Sequence, residues 1–111
     1  MEEQIMPKYV FAYHGGGMPE TEEEQAAEMA AWGAWMGANE SAFLDMGAPT
    51  AAAMTVTAEG AAEGGGANPI TGYGLIEAAD LDAACAIAAG CPNIARGGSV
   101  EVAETFEIPG M

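Results

Sequence analysis

The sequence predicts an α+β domain organised on one antiparallel sheet, and three observations carry that prediction. Lys8–His14 (KYVFAYH) and Ile70–Ala78 (ITGYGLIEA) are strand-forming runs with apolar side chains on both alternating faces, so each needs cover on both sides. Each run is followed by a segment that opens with helix start signals. The chain then returns to alternation in Ser99–Ile108 (SVEVAETFEI), which gives the order β-α-β-(β)-β-α-β.

Residues 1–7 read as a frayed lead-in. In the first strand Tyr9, Phe11 and Tyr13 share one face and Val10, Ala12 and His14 the other, and Gly15-Gly16-Gly17 ends it. Thr21 begins TEEE, a capping-box pattern with Glu24 at the third helical position and three glutamates to complement the helix dipole. This helix is expected from Glu22 to about Ala38, with Met29, Trp32 and Met36 as an apolar stripe and Trp35 beside it. Ser41–Met46 is a short strand stopped by Gly47 and Pro49, and MTVT within Ala51–Ala58 is another. Residues 59–69 (EGAAEGGGANP) offer no core-forming side chain and read as a flexible, acidic, Gly-rich loop.

Asp80 is placed to N-cap the second helix, over which Leu81, Ala84, Cys85 and Ala88 recur at helical spacing. Gly90 stands where a C′ glycine belongs, and Pro92 is expected to forbid further helix, leaving Asn93–Gly98 as a loop that carries Arg96. In the last strand Val100, Val102, Phe106 and Ile108 share a face, with Glu101 and Glu107 opposite. Two helices can cover only one face of a four-stranded sheet. The expected architecture is therefore ferredoxin-like, β-α-β-β-α-β, with both helices on one face and the apolar open face covered by a second copy in a homodimer.

At 111 residues, positions 1–111 make a single domain. Lys8 and Arg96 face 17 acids, for a formal net charge of −15. That field repels nucleic acid and anionic lipid, which are bound mainly through Lys and Arg, so neither is expected as a partner. No apolar run approaches the roughly 20 residues of a membrane span. MEEQIMPK lacks a signal-peptide pattern, and a cytoplasmic location is expected. Cys85 and Cys91 are too few for a disulfide framework and are expected as free thiols. The glycine turn lacks the GK[ST] of a phosphate loop, and no cofactor is expected.

The opening KYVFAYHGG strand with its acid-capped helix, and GYGLIEAADLDAACAIAAGCP followed by GGSVEVAETFEI, resemble the YCII-related family, including its DGPF-type branch. There a GYYLIEV-like strand leads into a DLDEA-like helix and a final VEV-rich strand. The resemblance covers Lys8–Ile108 and implies a ferredoxin-like fold that pairs into a dimeric α+β barrel. The chain departs from the family at two places. ANPI at 67–70 stands where DGPF is expected. The helix histidine and the aspartate before a proline, a proposed catalytic pair in some members, are also missing: the first helix has no histidine, and Cys91 precedes Pro92. The resemblance therefore implies no catalytic residue here.

Read from the residues, His14 is the one histidine. It is a weak catalytic candidate, as a general base, and a candidate ligand-binding group. A strand-end histidine bonded to backbone is the plainer reading, and it carries more weight. Trp32, Trp35 and Tyr73 are candidate pocket walls, although tryptophans at helical spacing are more often core. Arg96 could meet an anionic ligand or a partner's glutamate. Cys91 has no adjacent base to make it a nucleophile. His14 with Asp45 or a nearby glutamate lacks metal-site spacing, and no metal is expected. Three functions are open: a homodimer holding a small molecule between sheet and helices or at the dimer seam; a cofactor-independent monooxygenase, isomerase or lyase using His14; or an accessory interaction subunit without a pocket.

Overall fold

Nine elements follow one another: β1 (Lys8–His14), α1 (Glu22–Ala38), β2 (Phe43–Pro49), β3 (Met54–Thr57), β4 (Gly60–Glu63), β5 (Ile70–Glu77), α2 (Leu81–Ala88), α3 (Pro92–Ala95) and β6 (Ser99–Glu104). They come from a computed structural model that describes residues 6–110; of the lead-in 1–7, residues 1–5 lie outside the described residues. The main sheet has the order β2-β5-β1-β6 and is antiparallel throughout. β1 is thus an interior strand, as its two apolar faces demand. With both main helices against one face, this is the ferredoxin-like arrangement.

Strand register sorts the side chains into two layers. Tyr9, Phe11 and Tyr13 pair across to Ile76, Gly74 and Gly72 on one side and to Glu104, Val102 and Val100 on the other. This face meets Trp35 of α1 and Ala84 and Ala88 of α2, and it forms the buried core. Rings dominate it. Phe11 is stacked on Trp35 at 6.3 Å and meets Tyr13 and Phe43 edge-on at 6.4 Å. Val10 and Ala12 pair with Leu75 and Tyr73 and with Ala103 and Glu101, and they turn to the opposite face. Val10 and Tyr73 are 37% and 43% exposed there, so an apolar sheet face stands open.

The helices start as their sequences specify. Thr21 accepts from Glu24 N at 3.1 Å, but the Glu24 carboxylate reaches back to Glu20 N rather than to Thr21. Asp80 accepts from Ala83 N at 2.8 Å. Each apolar stripe is narrower than its spacing suggested. Only Trp35 of α1 is buried, and Met29 is 77% exposed; in α2, Leu81 and Cys85 face solvent.

Three local expectations are corrected. Pro92 does not end helical structure: it occupies the first turn of α3, where a missing N–H costs nothing. The final strand stops at Glu104, and Phe106 (84% exposed) and Ile108 lie past the sheet, because β1 has no residue left to pair with them. Part of the stretch 59–69 is strand: Gly60–Glu63 pairs with Met54–Thr57 as a separate two-stranded hairpin. Its eight paired residues are all exposed, so no core contact announced it. This arm contributes to a radius of gyration of 16.0 Å, against about 13 Å for a compact chain of this length.

β2 runs to Pro49 because Gly47 absorbs the irregularity in its pairing with β5. Gly47 has φ +74°, and a Cβ there would overlap the Tyr73 carbonyl oxygen, so only glycine fits.

Candidate functional site

At the end of the sheet where β1 gives way to its glycine turn, α1 and the strands β2 and β5 diverge and leave a cleft of about 520 Å³. α1 supplies Glu28, Met29, Trp32 and Met36. Met46, Ala48 and Thr50 come from β2 and its continuation, and β5 contributes Thr71, Gly72 and Tyr73. Tyr13, Met18 and Asn93 close the remaining side. The walls are apolar, four of them thioether side chains, and Glu28 is the one carboxylate among them. Gly72 and Gly74 let the Tyr13 ring lie close against the β5 backbone: a Cβ on Gly72 would stand 3.2 Å from Tyr13 Cδ2, and one on Gly74 3.2 Å from its hydroxyl.

Polar contacts hold this frame. Trp32 Nε1 donates to Glu28 Oε1 at 2.8 Å, one helical turn away. Arg96 donates through Nε to the Gly16 carbonyl at 2.8 Å and lies 3.5 Å from Glu28 Oε2. The three successive glycines 15–17 all have positive φ, between 64° and 89°. That left-handed run folds the loop back to where Arg96 and Asn93 can hold it. Asn93 is buried, and its Nδ2 donates to the carbonyls of His14 and Ser99, both at 2.9 Å.

The candidate residues separate into four places. Trp32 is a cleft wall, edge-on to Tyr13 at 5.0 Å. Tyr73 borders the cleft, but its pairing with Ala12 turns its ring to the open face. Trp35 is in the core, where it donates to the Ile87 carbonyl at 3.0 Å. Arg96 is engaged with its own chain's Glu28 and glycine turn. His14 is on the open-face side of β1, nearly buried, and is not a wall of the cleft. Its Nδ1 is 3.2 Å from the Pro69 carbonyl, and its Nε2 is 3.2 Å from Glu101 Oε1. Both partners are acceptors, so only the doubly protonated ring donates to both at once. Among the described residues, no three His, Cys, Asp or Glu side chains come together as a metal site.

A profile of the YCII-related domain matches residues 9–108. The chain belongs to the YCII-related domain family. A search of curated proteins finds no match. In this YCII-related chain the position before Pro92 is structural: Cys91 is 2% exposed, and burial pushes its thiol up to about 11, with the Glu28 charge adding to the rise. Burial likewise raises the Tyr13 phenol, helped by Cys91.

A pH dependence follows from these shifts. An acid whose folded pKa is raised keeps its proton in the native state after the unfolded chain has lost it, so stability falls with rising pH. Denaturant midpoints should therefore hold below about pH 9 and decline towards about pH 11, through the window set by Cys91. A Cys91→Ala variant should show a shallower decline. Identical slopes in the two proteins would show that the thiol is not differentially protonated.

Nothing in the sequence marks Asn93, Met18 or Met46 as site residues, and Gly47 reads there as a strand stop, whereas β2 runs through it to Pro49. Asn93 sat in a stretch read as loop, and the methionines lie far apart in the chain. Their shared boundary exists only once β2 is registered on β5.

Proposed function

We propose that this YCII-related protein is a homodimeric binder of a small apolar molecule, with the cleft between α1 and the β2–β5 margin as its site. The cleft carries the reading: about 520 Å³ falls within the roughly 300–1,000 Å³ of ligand pockets, and its walls combine aromatic and thioether side chains with one carboxylate. Thioether chains are unbranched and adapt to ligand shape. Glu28 and the net charge of −15 disfavour carboxylates and phosphates and favour neutral or cationic ligands. A thermal-shift screen of neutral ring compounds should yield stabilising hits, and Trp32→Ala should weaken them by about tenfold or more through lost contact area. Unchanged affinity in that variant would remove the cleft from consideration.

The dimer half of the proposal rests on the open sheet face, where Val10, Ala12, Tyr73 and Leu75 adjoin. Pairing two such faces would bury more than about 1,200 Å² in total, the scale of stable complexes. Sedimentation equilibrium at micromolar concentration should report twice the 11.2 kDa chain mass. An 11.2 kDa species alone would defeat it.

A second reading is favoured by His14. The imidazole is oriented by the Pro69 carbonyl at Nδ1, and its Nε2 partner Glu101 is 68% exposed, so a substrate that displaced that carboxylate would meet an oriented ring nitrogen. It faces the surface that the proposed partner would cover. A His14→Ala variant that stays dimeric but loses turnover of a screened substrate would support proton-transfer chemistry. Loss of the dimer instead would mark His14 as part of the interface.

A further inference from the structure

Tyr13 is 4% exposed, and its hydroxyl is the one buried side-chain nitrogen or oxygen among the described residues with no hydrogen-bond partner. Proteins rarely leave such a group unpaired, and an unpaired one calls for an explanation. The ring borders the cleft, edge-on to Trp32. The hydroxyl oxygen lies over Gly74: a Cβ built there would stand 3.2 Å from it and 3.6 Å from the Met46 carbonyl oxygen. The Phe43 ring edge, Cε1, would stand at the same 3.2 Å, so the phenol tip is enclosed by the Gly74 and Met46 main chain and the Phe43 ring, just behind the cleft wall that Tyr13 and Met46 share. Of the other polar-tipped rings at the cleft, Trp32 is already committed to Glu28 and Tyr73 turns to the open sheet face.

We infer that the Tyr13 hydroxyl is the polar anchor of the cleft, and that its ligand is an uncharged ring compound bearing a hydroxyl or carbonyl group that hydrogen-bonds to it. This rests on the reading of the cleft as a small-molecule site. The chemistry selects the class. A phenol can donate to a carbonyl or exchange a hydrogen bond with a hydroxyl. The remaining walls reward apolar area, and the net charge of −15 disfavours an anion, Glu28 itself being paired with Trp32 and Arg96. The hydroxyl is closed to water in the free protein, so a ligand reaches it by displacing a neighbour, and Met46, which lines the cleft and whose carbonyl lies beside the hydroxyl, is the residue placed to yield.

Tyr13→Phe separates this role from a structural one. If the hydroxyl has no partner in the free protein, its removal leaves the melting temperature unchanged or higher, because a desolvated unpaired group is lost. A fall in melting temperature of about 4 °C or more would reveal a partner and overturn the inference. Naphthalene and 2-naphthol, measured by equilibrium dialysis, provide the binding arm. The wild type should bind 2-naphthol several-fold to about tenfold more tightly than naphthalene, the span of one net hydrogen bond. Tyr13→Phe should erase the difference while leaving naphthalene unchanged. Equal binding of both compounds by the wild type, or a preference that survives in the variant, would overturn the anchor and leave the apolar cleft standing. No binding of either would overturn both.

Discussion

Replacing Phe11 by alanine is expected to cost about 3–5 kcal/mol, the range for deleting a buried ring. Phe11 has no exposed surface and lies at the centre of the aromatic cluster, with Tyr13, Trp35 and Phe43 all within 6.4 Å of its ring centre. Those neighbours are rigid rings on three different elements, so they cannot collapse into the void. The loss is a large part of the roughly 5–15 kcal/mol that stabilises a domain. It should lower the melting temperature by at least about 12 °C. Phe11→Leu keeps most of the volume and should cost about 1–1.5 kcal/mol. An alanine variant melting within a few degrees of wild type would mean that the ring cluster is not the core.

Asn93→Asp is expected to be about as damaging, near 3–5 kcal/mol at neutral pH, although it changes the shape hardly at all. The amide donates two hydrogen bonds, to the carbonyls of His14 and Ser99, and so ties the end of β1 to the start of β6. A carboxylate has no hydrogen to donate and would bring a buried charge against two acceptors. Asn93→Ala removes the donors without adding the charge and should cost less, about 2–3 kcal/mol. The Asp variant should recover partly at low pH, where a protonated carboxyl can donate to one carbonyl. Chemical denaturation of both variants at neutral and acid pH checks this. Equal stability of the Asp variant and wild type would show that the amide bonds carry no weight.

The strands β1 and β5 and the starts of α1 and α2 were legible because their signals are local. Alternation of apolar residues needs only a few neighbours, and the Thr21 and Asp80 caps act within one turn. Other features depend on distant partners. Val102 pairs with Phe11 and is half-covered, whereas Phe106 continues the same alternation into solvent, since β1 sets how long its neighbour can be. Pro92 reads as a stop in sequence, and it becomes a helix start because α2 closes at Ala89 and the chain turns afresh. MTVT of β3 reads as a strand from its β-branched residues, whereas its partner β4, GAAE, has small, exposed residues and so resembles a connector.

The site divides in the same way. Trp32 could be named from its helical spacing, but the same spacing could not say that Trp35, three residues on, is core. A rotation of about 100° per residue about the helix axis separates their directions, and only the placement of α1 on the sheet decides which direction is inward. His14 and Tyr13 are adjacent in a strand, so they face opposite sides of it. That alternation, the acidic surface, the helix caps and the βαβ-βαβ order are written in composition and local pattern. Which of the two faces meets the helices and borders the cleft is settled only when the chain is packed. That depends on packing between residues up to 97 positions apart, as in the Thr105–Lys8 contact, which no local pattern encodes.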